Sequence, residues 1–178
     1  MNILYWNCQG ISNPNTFNVL KRYINSHCLK LLAIAEEKVN YASTFKNSSP
    51  FGYSFIGSFI NGRFTEFLWL FAHSSIYNFN VYNSSNRAIN YDYIFENDHV
   101  YTNFFYDFNR YQDRRALWNE LTLHSNTIHN PWFIVGDLNA ILAPSEKVGP
   151  PHDSISTREF KACMELNNLI EVNLSCDK

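Results

Sequence analysis

Two short runs in this chain are apolar at every position and stop abruptly at an acid. Leu31-Leu32-Ala33-Ile34-Ala35 ends at Glu36, and Trp132-Phe133-Ile134-Val135 ends at Gly136-Asp137. The first run, with no polar alternation, reads as a strand buried on both faces, and such a strand needs layers packed above and below it; the second reads as part of a strand from Pro131 to Asn139. A third strand-like stretch, residues 2–8, alternates loosely and passes through Asn7. The chain is therefore expected to build a layered α/β domain whose strand ends carry polar side chains.

The remaining sequence fits that frame. Asn13-Pro14 suits a helix start, with Asn as the cap and Pro in the first turn, and Phe17, Leu20 and Ile24 follow at helical spacing up to His27. Strand-like pieces recur at 53–56, 63–71, 78–82, 89–95 and 100–106, separated by Gly, Asn and Ser, which predicts a largely antiparallel meander. A second helix is expected from Asp113 to about Asn126, with Leu117, Trp118 and Leu121 inward. Ser156 and Glu159 have capping-box spacing for a third helix that buries Phe160, Cys163 and Met164. Ile170-Glu171-Val172-Asn173-Leu174 alternates like the start of another strand. Two packed sheets with helices outside are the expected architecture, in one domain spanning 1–178.

Composition narrows the function classes. The chain has 178 residues, of which 46% are hydrophobic and 17% aromatic, enough for one domain with a real core. A formal net charge of −2 is not the footprint of a general nucleic-acid binder, although a local basic rim could still hold phosphates. The four cysteines, at 8, 28, 163 and 176, match no metal-binding spacing and read as reduced thiols. No signal peptide or membrane-length apolar run is visible, so a soluble intracellular protein is expected. Asparagine occurs 24 times, so no single Asn carries weight by itself.

Three strands are thus expected to end in Asn7, Glu36, and Asp137 with Asn139. Two carboxylates and two amides offer oxygen donors, which suit a hard cation such as Mg²⁺ and the hydrolysis of phosphate esters. Taken singly, each has a plainer reading. Glu36 could pair with Lys38, Gly136-Asp137 could be an ordinary turn, and Tyr106 could be a half-buried strand aromatic.

Taken together, these residues resemble the endonuclease/exonuclease/phosphatase superfamily, and within it the apurinic-type endonuclease domain of plant non-LTR (LINE) retrotransposons. The likeness rests on Trp6-Asn7-Cys8-Gln9-Gly10, Leu31 to Lys38, Phe105-Tyr106-Asp107-Phe108-Asn109, Arg114-Arg115-Ala116-Leu117-Trp118, Gly136 to Leu142, and Ser145-Glu146-Lys147-Val148-Gly149. It implies a DNase I-like two-sheet α/β sandwich, a Mg²⁺- or Mn²⁺-dependent nuclease that nicks DNA, and a nuclear location; no membrane is expected as a partner, and no protein partner is inferable. It also implies roles. Glu36 would bind the metal, with Asn7 beside it. Asp137 would orient or deprotonate water, and Asn139 would bond the scissile phosphate. Tyr106 would act near the leaving group, with Tyr101 as its alternative, and Asn109 would contact the substrate. Arg110, Arg114 and Arg115 could touch DNA phosphates, or could simply form a solvated helix start.

The chain departs from that pattern at two places. Glu37 stands where the family usually has Thr. The family's closing Ser-Asp-His occurs nowhere in the chain, so its last strands are expected to be missing and a sheet edge exposed, with marginal stability or aggregation as the result. A catalytically inactive remnant, and a phosphatase of the same superfamily, are the alternatives to an active nuclease.

Overall fold

A computed structural model describes residues 1–36, 39, 52–61, 65–84, 88–106, 111–146 and 154–172. The chain divides into two compact units, Met1–Asp107 with Asn130–Asp137, and Phe108–His129 with Leu138–Lys178.

The first unit holds eight described strands and one helix. In order these are β1 (Ile3–Asn7), α1 (Pro14–His27), β2 (Leu31–Ala35), β3 (Ser54–Asn61), β4 (Thr65–Ala72), β5 (Ile76–Ser84), β6 (Ala88–Phe95), β7 (Asp98–Phe105) and β8 (Trp132–Gly136). They form two mixed sheets of four strands, ordered β1-β2-β4-β3 and β5-β6-β7-β8. β1 runs parallel to β2, and β7 parallel to β8, while the remaining pairs are antiparallel. The predicted meander is present, but it is split between the sheets, with β3 and β4 in the first and β5 to β7 in the second.

Alternation along the strands explains the layers. Leu31, Ala33, Leu68 and Leu70 of the first sheet share a core with Ile89, Tyr91, Tyr93 and Phe104 of the second. Leu32, Ile34, Trp69 and Phe71 point the other way and pack with Leu20 and Ile24 of α1. Every residue of β2 is buried, as its unbroken apolar run requires. Burying a side chain the size of Leu20 contributes about 2 kcal/mol. Within the shared core the Tyr93 hydroxyl meets Thr102 Oγ1 at 2.7 Å, and burial pushes its pKa up to about 12. α1 starts as predicted, because Asn13 Oδ1 accepts from the Asn15 amide at 2.9 Å and Pro14 needs no partner for a missing N–H.

The second unit contains α2 (Tyr111–Ser125) and α3 (Ser154–Leu166). Trp118 stacks on Phe160 with ring centroids 5.0 Å apart. Asn167 donates to the Cys163 carbonyl at 2.7 Å and accepts from Ser125 Oγ at 2.6 Å. Leu117, Trp118, Leu121, Phe160 and Cys163 are buried as expected, whereas Met164 is only half-buried.

The structure departs from two local expectations. Ser156 and Glu159 form no capping box, because α3 already begins at Ser154 and both side chains are used elsewhere. Ser156 Oγ accepts from buried Arg114 at 2.8 Å, and Glu159 pairs with Arg115. Residues 170–172 are not in a strand: Ile170 is 85% and Val172 65% exposed, since no described strand edge pairs with them. Residues 173 and 174 lie outside the described residues. Among the described residues no helix is long and apolar enough to cross a membrane.

Candidate active site

The first sheet brings two of the predicted residues into direct contact. β1 and β2 are parallel and in register from Ile3 opposite Leu31 to Asn7 opposite Ala35, so Asn7 and Glu36 emerge at the same end. The pairing continues one step further, with the Cys8 amide donating to the Ala35 carbonyl at 3.0 Å. Asn7 Nδ2 donates to Glu36 Oε1 at 2.9 Å. That bond fixes the amide orientation, because only the nitrogen can donate to a carboxylate. Asn7 Oδ1 is then buried, with no hydrogen-bond partner among the described residues.

The backbone here is held in uncommon conformations. Glu36 has φ +56° and Gln9 has φ +49°. A left-handed conformation costs a residue with a Cβ on the order of 1 kcal/mol, and such strain gathers at functional sites. It ends β2 sharply at Glu36.

The second sheet supplies the other pair of strand ends. β7 and β8 are parallel, with Phe105 opposite Gly136, so Tyr106 and Asp137 follow from adjacent strand ends. Gly136 has φ +147°, and a Cβ there would lie 2.1 Å from the Phe105 carbonyl oxygen. Only glycine permits this approach. Tyr106 is half-buried and packs against the core shared by the sheets.

Asn139 is exposed and has φ +47°, a conformation that Asn tolerates well. In the loop that follows, Glu146 accepts from the Leu142 and Ala143 amides at 3.1 and 2.7 Å, so this acid braces the backbone after the strand. Asn109, Arg110, Glu37 and Lys38 lie outside the described residues. Tyr101 sits within β7, where its ring packs against His99 and Tyr82, whereas Tyr106 stands at the strand end.

The arginines divide in a way the sequence did not indicate. Arg114 is buried against Ser156, which excludes both phosphate contact by it and the solvated alternative. Arg115 is exposed, and its Nε and Nη2 both donate to Glu159 Oε1.

The donor set has the chemistry of a hard-cation site. The unpaired Asn7 oxygen beside the Glu36 carboxylate is a pair of hard donors in want of a positive partner, and it fits Mg²⁺ or Mn²⁺. Among the described residues no three His, Cys, Asp or Glu side chains cluster as a ligand set. A Mg²⁺ ion, which keeps several waters, needs no such cluster.

The fold has known counterparts. No family model and no curated protein matches the sequence. Solved structures do match. An AP endonuclease from Archaeoglobus fulgidus superposes with TM-score 0.65 at 15% identity, covering 93% of this chain and 71% of that one. The endonuclease domain of TRAS1, a telomere-specific non-LTR retrotransposon, gives TM-score 0.65 at 12% identity, covering 92% and 71%. An endonuclease/exonuclease/phosphatase family protein from Leptotrichia buccalis gives 0.55 at 13% identity, covering 92% and 72%. The chain thus has the two-sheet, DNase I-like fold seen in these endonuclease/exonuclease/phosphatase proteins, the TRAS1 endonuclease domain included.

Proposed function

We propose that this chain is a divalent-metal-dependent endonuclease that hydrolyses DNA phosphodiester bonds, of the kind that non-LTR retrotransposons carry. The observation that supports it best is the Asn7–Glu36 pair, with a buried amide oxygen that has no partner among the described residues beside a carboxylate. Glu36 and Asn7 would hold Mg²⁺ or Mn²⁺, which when bound neutralises charge on phosphoryl oxygens. Asp137 orients and deprotonates the attacking water. Asn139 donates a hydrogen bond to the scissile phosphate, and the Tyr106 hydroxyl stands by the leaving oxygen. Asn109 and Arg115 bind the substrate backbone. Fixed donors and a positioned carboxylate lower the barrier because they need no reorganisation as charge develops. DNA as the substrate would place this action in the nucleus.

A supercoiled-plasmid nicking assay with Mg²⁺ tests the reading. Wild-type chain should nick, and Asp137→Ala and Glu36→Gln should not. Equal nicking by wild type and Asp137→Ala would overturn the site. No nicking by any of them would mean a fold retained without catalysis, and release of phosphate from a monoester instead would favour a phosphatase.

A further inference from the structure

The register of β8 against β7 decides where Asp137 stands, yet the apolar pattern of β8 does not specify it. Register is normally set by which face is apolar, because a slip of one residue turns every side chain over. In Trp132-Phe133-Ile134-Val135 a slip would exchange one apolar pair for another. All five residues of β8 are also partly exposed, so burial gives the strand little hold.

Two specific contacts supply what the pattern lacks. At the C-terminal end, a Cβ on Gly136 would lie 2.1 Å from the Phe105 carbonyl oxygen, so the observed register needs a glycine there. At the N-terminal end the contact is attractive. Trp132 Nε1 donates to Asn103 Oδ1. Asn103 is wholly buried and stands opposite Asn90 on one side and Ile134 on the other. Its Nδ2 donates to Asn90 Oδ1 at 2.7 Å, and the Tyr82 hydroxyl donates to its Oδ1 at 3.2 Å. One carboxamide therefore ties together all four strands of the second sheet. A slip of one residue would turn Trp132 to the opposite face, and a slip of two would carry its Nε1 about 6.6 Å away.

We propose that Trp132 and Asn103 are positioning residues: their hydrogen bond holds β8 in the register that sets Asp137 beside Tyr106. The functional half of this inference rests on the reading of Asp137 given above; the register half does not.

The experiment compares the full chain with Trp132→Phe, which keeps an aromatic ring and removes only the N–H, and with Trp118→Phe on α2 as a control for general loss of packing. Amide hydrogen exchange and plasmid nicking are measured on each. Trp132→Phe should exchange about tenfold faster across Phe133–Gly136 with β6 unchanged, and kcat should fall about tenfold at unchanged KM, as loss of one buried hydrogen bond allows. Trp118→Phe should leave both readouts near wild type. Unaltered exchange in β8 of Trp132→Phe would overturn the proposal, as would an equal loss of kcat in Trp118→Phe. Should the wild-type chain itself fail to nick, the reading of Asp137 falls, and the exchange comparison still decides the register claim.

Discussion

Asn7 Nδ2 donates a hydrogen bond to Glu36 at 2.9 Å, and its own oxygen is buried with no partner among the described residues. A buried acceptor without a donor costs about 1–3 kcal/mol, so a cation at this position relieves a cost already present in the fold. Saturating Mg²⁺ should therefore raise the melting temperature of the wild-type chain by about 5 °C, as a ligand at roughly 100 times its Kd would do. Glu36→Gln should lose that increment, and differential scanning fluorimetry with and without Mg²⁺ checks it. Equal shifts in both proteins would place the cation elsewhere.

Gly136→Ala should destabilise the first unit by about 3 kcal/mol or more, because its Cβ would meet backbone atoms of Phe105 rather than a side chain able to move. Gly52→Ala is the comparison. Gly52 also has positive φ, but nothing lies within 4 Å of the added carbon, so only the backbone cost of about 1 kcal/mol applies. Urea denaturation of the two variants should show this ordering.

The adjacent arginines of α2 should behave differently on truncation. Arg114→Ala removes a buried guanidinium and leaves buried Ser156 without its donor, at a cost of about 2–3 kcal/mol. Arg115→Ala breaks an exposed pair with Glu159, and stability should change by less than about 1 kcal/mol. If Arg115 meets DNA phosphates, the same variant should weaken DNA binding and flatten its dependence on salt. Filter binding across a salt series gives that measurement.

His124, in the last turn of α2, carries a pH dependence. Burial holds its pKa below the ordinary 6.5, with Glu120 opposing the shift. The unfolded chain therefore takes up a proton at higher pH than the folded one. The stability contributed by neutral His124 is full above about pH 6.5 and is lost as pH falls from there through the lower folded value. His124→Gln should remove this part of the decline. Between pH 7.5 and 5 the melting temperature of the wild type should fall more steeply than that of the variant.

Leu166, Ile170 and Val172 are exposed apolar side chains at and beyond the end of α3. Replacing Ile170 and Val172 with Lys should lower concentration-dependent light scattering, with stability unchanged within about 0.5 kcal/mol. Unchanged scattering would show that association starts elsewhere, for instance at the half-exposed outer strands β1 and β8.

Much of the first unit was legible because its signals are local. The cap Asn13 with Pro14, the unbroken run Leu31–Ala35 and the helical spacing of Leu20 and Ile24 each act over a few residues, and each formed the predicted element. The spacing of Ser156 and Glu159 misled for the opposite reason. A capping box and a pair of partners for a neighbouring helix need the same residue types, and the position of Arg114 and Arg115 decided between them. Ile170-Glu171-Val172 has strand periodicity, but alternation alone cannot make a strand without an edge to bond.

The sequence alone determined the element order as far as α3, most of the apolar faces and the polar residues at the strand ends, since these follow from periodicity, capping chemistry and side-chain type. Tertiary structure decided the rest. It chose Asn103 from among 24 asparagines as the residue that ties four strands, because a carboxamide gains meaning only from the donors folded around it. It also left one oxygen of Asn7 buried beside Glu36 with no partner among the described residues, a relationship across 29 residues of chain that the parallel register of β1 and β2 creates.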